Sequence, residues 1–200
     1  MLERHGVSDF LFLLSYRSER IIAFLEARGA GNDRFRWSVE PSPLGTGGAV
    51  RHAAALLCDE FLLINGDSYL DMDYEGLAAA FRGASCTGML AVYDNRRDTA
   101  VPNNVALDDS GRVSLYEKAG SDERLRYVDA GVLALRKSVL DLIPADTVCS
   151  MENEIYPRLI ERGALDSFVA AQRFYDIGTP ERLREFEAYL STRIHKYGDV

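Results

Sequence analysis

The chain has 200 residues, 47% of them hydrophobic, with 23 lysines and arginines against 31 aspartates and glutamates, a formal charge of -8. That length suits one domain with a two-sided core, and the excess acid opposes binding to nucleic acid or an anionic membrane, so a phosphorylated ligand needs local donors or a metal. No stretch reaches the ~18 continuous apolar residues of a membrane span, the start MLERHGVSDFLFLL lacks a secretion-signal pattern, and three dispersed cysteines, Cys58, Cys86 and Cys149, fit a reducing, cytoplasmic setting and read as small hydrophobes.

In chain order, FLFLLSY (10–16) reads as a strand and SERIIAFLEARG (18–29) as a helix with Ile21, Ile22 and Leu25 at helical spacing. RFRWSVE (34–40) alternates, AVRHAAALL (49–57) is helical, and EFLLINGD (60–67) is a nearly continuous apolar strand that must be covered on both faces. YEGLAAAFR (74–82) is a helix that Asp71 or Asp73 can cap, and GMLAVYD (88–94) is a further strand. NVALDDSGRVSLYEK (104–118) carries a hairpin signal around Asp109-Ser110-Gly111. VDAGVLALR (128–136) is a strand and SVLDLIP (138–144) a short helix stopped by Pro144. MENEIYPRLIERG (151–163) is helical around Pro157, SFVAAQ and FYDIG are extended, and TPERLREFEAYLSTRIHK (179–196) is a helix opened by Thr179 and Pro180. Strands alternating with helices define an α/β chain with a mostly parallel sheet covered on both sides. One domain over 1–196, without repeats or a dividing linker, is followed by a fraying tail at 197–200.

Ligands of open α/β sheets bind beyond the carboxyl ends of the strands, which draws attention to residues leaving a strand there. Asp67 does so, beside Gly66, whose missing side chain keeps the main chain accessible. It reads either as a ligand for a hard cation such as Mg2+ or as a turn acid or helix cap. Gly45-Thr46-Gly47-Gly48 lies between a strand and a helix, where glycines admit a ligand to the main chain and a helix start offers N–H groups; a tight turn is the other reading. It is neither a P-loop nor a dinucleotide fingerprint. Asp176, in Phe174-Tyr175-Asp176-Ile177-Gly178-Thr179-Pro180, also leaves an extended segment for a helix, and Glu117-Lys118 ends another strand with an acceptor for sugar hydroxyls beside a charge for a phosphate. His5, His52 and His195 show no triad or metal spacing, and Tyr16, Phe24 and Trp37 follow the periodicity of packing.

Taken in order, PLGTGGA, LINGDSYLDMD, YEK, DAGVLALR and YDIGTPERL resemble the sugar-1-phosphate nucleotidylyltransferase family, and most closely its mannose-1-phosphate and D-glycero-D-manno-heptose 1-phosphate guanylyltransferase-like branches. The likeness runs from about residue 1 to 190. It implies a Rossmann-like three-layer fold and attack by the phosphate of a sugar 1-phosphate on the α-phosphorus of an NTP, GTP by preference, with pyrophosphate leaving. The products are nucleotide sugars of the kind used for lipopolysaccharide or capsule precursors. On this resemblance Asp67 and Asp176 hold Mg2+; Gly45, Thr46, Gly47, Gly48 and Gly66 contact the nucleotide; Glu117 grips sugar hydroxyls, Lys118 the sugar phosphate, and Asn104 and Gly131 line the sugar pocket.

Two departures stand out. The family usually carries Asn-Ala-Gly where this chain has Asp129-Ala130-Gly131, which adds a negative charge near the sugar site. Family members also open with a strand and a loop of the form Gly-Gly-x-Gly-Thr-Arg-Leu that holds the triphosphate; no such segment occurs in these 200 residues. The expectation is therefore two unpaired inner sheet edges, low stability or activity for the chain as written, and association with itself or with a full-length homologue. A competing reading is a non-catalytic homologue that serves as a sugar-phosphate-binding or regulatory subunit; retention of both acids together with Glu117 and Lys118 argues for the enzyme.

Overall fold

The computed structural model describes residues 1–28, 34–97, 99–118 and 120–197, with side chains to 192. The tail beyond 197, the side chain of His195 and the closing Gly29 of the first helix lie outside the described residues.

The chain opens with a turn of 3-10 helix over Leu2–His5, then β1 (Phe10–Leu14), α1 (Ser18–Ala27) and β2 (Phe35–Val39), a parallel pair joined through a helix. The second helix, α2 (Gly45–His52), starts earlier than its apolar pattern suggests, because the glycine run forms its first turn; a 3-10 turn at Ala54–Leu56 follows. Next come β3 (Glu60–Ile64), a two-residue β4 (Ser68–Tyr69), α3 (Tyr74–Gly83) and β5 (Gly88–Tyr93). Asp73 caps α3, its side chain accepting from Gly76 N–H at 2.8 Å. The hairpin pairs β6 (Val105–Leu107) with β7 (Val113–Tyr116), and β8 (Val128–Arg136) leads into a 3-10 turn over Lys137–Leu142. The helical pattern after 150 splits into a π-turn (Met151–Ile155) and α4 (Tyr156–Glu161), since Pro157 is tolerated only in a helix's first turn. β9 (Leu165–Val169), β10 (Tyr175–Asp176) and α5 (Pro180–Tyr197) complete the chain.

The main sheet has the order β3-β8-β5-β9. β5 and β9 pair in parallel, while β8 runs antiparallel to both β3 and β5, so three strands share one direction and β8 opposes them. β1 and β2 form a separate pair. Among the described residues β1 has a strand on one side only, as does β3.

Side chains alternate across the main sheet and feed two cores. On one face Leu90, Val92, Leu133 and Leu135 pack with Val139, Leu140, Ile155, Tyr156 and Leu159. On the other Met89, Ala91, Tyr93, Val128, Ala130, Val132 and Ala134 meet Tyr74, Leu77 and Phe81 of α3. All six residues of β5 are buried, which is why that strand reads as an unbroken apolar run. The aromatic residues of the β1-α1-β2 unit depart from expectation: Tyr16 is 78% and Phe24 55% exposed. Their periodicity was that of packing, yet Leu25 is the one buried residue of α1, and each ring instead carries a guanidinium, Arg17 over Tyr16 and Arg28 over Phe24. Cys86 and Cys149 are buried and Cys58 exposed.

Candidate active site

The two strand-end acids are joined by a short antiparallel bridge. β4 pairs with β10 so that Asp176 lies opposite Ser68, and Ile177 N–H donates to the Asp67 carbonyl at 2.8 Å. Both carboxylates turn toward Gly178: a Cβ built on that glycine would stand 3.0 Å from Asp176 Oδ1 and 3.7 Å from Asp67 Oδ2. Asp67 and Gly66 are exposed, and nothing lies within 4 Å of a Cβ built on Gly66. Asp176 is further fixed by Gly178 N–H at 2.6 Å and by Arg182, whose Nη1 donates to Oδ2 at 2.7 Å. Two carboxylates on one open patch suit Mg2+, which binds through one or two protein acids and keeps water positions for substrate phosphates. Among the described residues no cluster of three or more His, Cys, Asp or Glu side chains offers a fuller protein cage.

A second group assembles where β6, β7 and β8 meet. Asn104, only 8% exposed, has its backbone N–H on Tyr127 O and its carbonyl on Glu117 N–H. Its Oδ1 accepts the N–H of Asp129 at 2.8 Å. Asp129 Oδ1 accepts from Gly131 N–H at 2.8 Å, and Oδ2 takes the Tyr116 hydroxyl at 3.3 Å. Burial pushes the Asp129 carboxyl up to about 6, helped by the charge of Glu152 and opposed by the Gly131 N–H, the Tyr116 hydroxyl and the Lys118 charge. Burial likewise raises Tyr116 and Tyr156, which also feel the Asp129 charge. Lys118 is exposed and Glu117 half-buried.

Gly131 ties this group to the acids. It adopts φ 76°, and a Cβ there would sit 2.6 Å from Ser68 Oγ, so only glycine lets β8 pass the loop that carries Asp67. Its carbonyl accepts Asn65 N–H at 2.9 Å.

The glycine run is arranged differently from the open loop anticipated above. Gly45 and Thr46 are exposed, but Gly47 and Gly48 are buried, and both donate their N–H to Cys149 O, at 2.8 and 3.2 Å. Those two N–H groups are therefore spent inside the protein rather than offered at a helix start. The glycines answer a packing need: a Cβ on Gly45 would lie 2.6 Å from Cys149 O, and one on Gly48 2.7 Å from Thr147 O. Thr46 Oγ1 donates to Glu152 Oε2 at 2.9 Å and accepts Met151 N–H at 2.8 Å. Burial works against charge on Glu152, but its own backbone N–H, the Ser150 and Thr46 hydroxyls and Lys118 outweigh that and hold it below the ordinary glutamate range.

The structure thus brings together Asp67 with Asp176, Asn104 with Glu117 and Gly131, and Thr46 with the segment after 148. Sequence reading missed Glu152, Tyr116 and Arg182. Ser150, whose Oγ accepts from Asn153 N–H while Ser150 N–H donates to Glu154 Oε1, is a readable capping pattern that marks the turn holding Glu152. Nothing in the spacing marks Arg182. A cleft of about 780 Å3 lies elsewhere, between His5, Leu62 and α3, where His5 Nε2 meets Asp71 Oδ1 at 3.2 Å.

The mixed α/β fold is that of sugar-phosphate nucleotidyltransferases of known structure. The chain superposes on the crystal structure of HddC from Yersinia pseudotuberculosis complexed with GMP-PN with a TM-score of 0.77 and 27% identity, covering 94% of this chain and 81% of that one. The family model described as Nucleotidyl transferase matches residues 1–193, and the chain belongs to that family. Relatives include the D-glycero-alpha-D-manno-heptose 1-phosphate guanylyltransferase of Campylobacter jejuni, 27% identical over 92% of this chain and 80% of that enzyme. The mannose-1-phosphate guanylyltransferase of Mycobacterium tuberculosis is 30% identical over 88% of this chain and 50% of its own length. The chain spans about half the length of most of the curated relatives it matches. No helix among the described residues is long and apolar enough to cross a membrane.

Proposed function

We propose that the protein transfers a nucleotidyl group from GTP to a sugar 1-phosphate, releasing pyrophosphate and forming a GDP-sugar, in the cytoplasm and as a supply of activated sugar for cell-surface polysaccharide. The observation that carries this reading is the convergence of Asp67 and Asp176 at Gly178, joined through Gly131 to the hydrogen-bonded group of Asn104, Glu117 and Asp129. The guanylyltransferase names of the relatives and the GMP-PN bound to the Yersinia protein support the choice of base.

In this reaction an oxygen of the sugar phosphate forms a bond to the α-phosphorus while the bond from that phosphorus to the bridging oxygen breaks, and the electron pair leaves with pyrophosphate. No protein nucleophile is needed, so the residues act by placement and charge. Asp67 and Asp176 would hold Mg2+, which supplies Lewis-acid charge to phosphate oxygens. Lys118 reaches the sugar phosphate, Glu117, Asn104 and Gly131 face the sugar, and exposed Gly45 and Thr46 offer the nucleotide the accessible part of their loop.

Four NTPs paired with mannose, heptose and glucose 1-phosphates in Mg2+ test the reading, with pyrophosphate release and direct calorimetric binding followed in parallel. Binding or turnover that selects GTP and requires a sugar 1-phosphate supports it. Failure of every nucleotide and every sugar phosphate to bind sinks it.

A further inference from the structure

Asp129 stands where the family resemblance calls for asparagine, and the surroundings of that carboxylate define what it can read. Its backbone N–H occupies Asn104 Oδ1 at 2.8 Å, which settles the orientation of the Asn104 amide: the oxygen is committed, and the Nδ2 group points the other way. Asn104 is 92% buried, since only 8% of its surface is exposed, yet Nδ2 donates to none of the described residues and is not among the atoms sealed from solvent. A buried amide whose hydrogens find no partner within the protein is a donor awaiting a ligand. On the neighbouring side chain, Asp129 Oδ1 holds Gly131 N–H at 2.8 Å and Oδ2 holds the Tyr116 hydroxyl at 3.3 Å. A carboxylate has about four lone-pair sites, so acceptor capacity remains. An ionised carboxylate cannot donate at all, whereas an asparagine in its place can do both.

We propose that Asn104 Nδ2 and Asp129 Oδ2 form a donor and acceptor pair that reads one hydroxyl of the sugar, making Asp129 a specificity-determining residue. The hydroxyl accepts from Asn104 and must donate to Asp129. This rests on the sugar pocket assigned above and narrows its substrate: the sugar position facing β8 carries a free hydroxyl, not an ether, an ester or a deoxy carbon. The charged and titratable groups facing Asp129 are Glu152 from the π-turn, Lys118 after β7, Tyr116 of β7 and Tyr156 of α4. Of these only Lys118 is cationic; its charge opposes the upward push of burial, and a carboxyl raised to about 6 is ionised at pH 7.5.

The probes are mannose 1-phosphate and glucose 1-phosphate and the monodeoxyfluoro analogues of whichever binds, titrated by calorimetry into the 200-residue chain and into Asp129→Asn. Fluorine can accept weakly from Asn104 but cannot donate to Asp129. At pH 7.5 one analogue is expected to bind about 10-fold or more weakly than its parent to the wild type, as befits loss of a hydrogen bond to a charged group, and to within about 3-fold of its parent in Asp129→Asn, where the carboxamide donates to the fluorine. That parent-to-analogue ratio is expected to shrink in the wild type as the pH falls below about 6, where Asp129 takes up a proton; the same ratio followed in Asp129→Asn over the same pH range removes the titration of the sugar phosphates. Equal parent-to-analogue ratios in the two chains, or a wild-type ratio that does not change with pH, overturns the inference while leaving the transferase reading standing. Failure of the mannose, heptose and glucose 1-phosphates alike, and of every nucleotide, to bind refutes that reading, and this one with it.

Discussion

Replacing Asp129 with asparagine should stabilise the protein, and only at a pH where the aspartate is charged. The carboxyl ordinarily titrates at 3.8 and is pushed up to about 6 in the folded chain, chiefly by burial. A raised carboxyl binds its proton more tightly in the folded than in the unfolded state. The folded protein is therefore favoured below pH 3.8 relative to higher pH, and that advantage is lost as the pH climbs through about 6. The gap corresponds to about 3 kcal/mol at roughly 1.4 kcal/mol per pH unit. Asp129 is only half-buried as a residue, so about 1–2 kcal/mol is the working expectation. In Asp129→Asn the amide oxygen can still accept from Gly131 N–H and the amide nitrogen can donate to Tyr116, so packing and bonds persist. At pH 8 the variant should gain about 1–2 kcal/mol in urea unfolding, or about 2–8 °C in Tm at the usual 2–4 °C per kcal/mol for a chain of this size. Near pH 4 the two chains should unfold alike. A stability difference that does not change between pH 4 and pH 8, or a variant less stable than wild type at pH 8, would refute the buried-charge argument.

Other outcomes follow from the same geometry. Asp67→Asn and Asp176→Asn should each weaken Mn2+ binding, read by electron paramagnetic resonance, by about 10-fold or more, because each removes one of two converging carboxylates; unchanged affinity in either removes that acid from the cation patch. Gly48→Ala should destabilise the chain by about 1–3 kcal/mol in urea, since its Cβ would press to 2.7 Å from both Leu44 Cβ and Thr147 O. Thr46→Val should cost about 1–3 kcal/mol by leaving Met151 N–H without its acceptor, and amide exchange at Met151 should quicken. Leu133→Ala, 2% exposed in the core on the β8 face that meets Val139 and Ile155, should cost about 2–5 kcal/mol.

The periodic elements were legible in the residues. β8 falls on 128–136 as its apolar run indicates, and α3 begins behind its Asp73 cap. The elements that shifted are those where a distant segment decides. The glycines at 45, 47 and 48 look like an open ligand loop in one dimension, yet in three they are pressed against Cys149 and Thr147, roughly a hundred residues on. Tyr16 and Phe24 obey core spacing, but no layer covers them among the described residues. Spacing reports which face a side chain takes, not whether anything packs on that face.

By itself the sequence determined the α/β alternation, the apolar strands and the two acids that leave them, because helix and strand periods and turn chemistry act over a few residues. The tertiary structure alone decided that Asp67 and Asp176 share Gly178, that Asn104 fixes the backbone of Asp129, and that Thr46 bonds Glu152. Those partners are separated by 109, 25 and 106 residues. Hydrogen bonds and charge act over a few ångströms of space, and only the folding of the sheet converts that chain separation into contact.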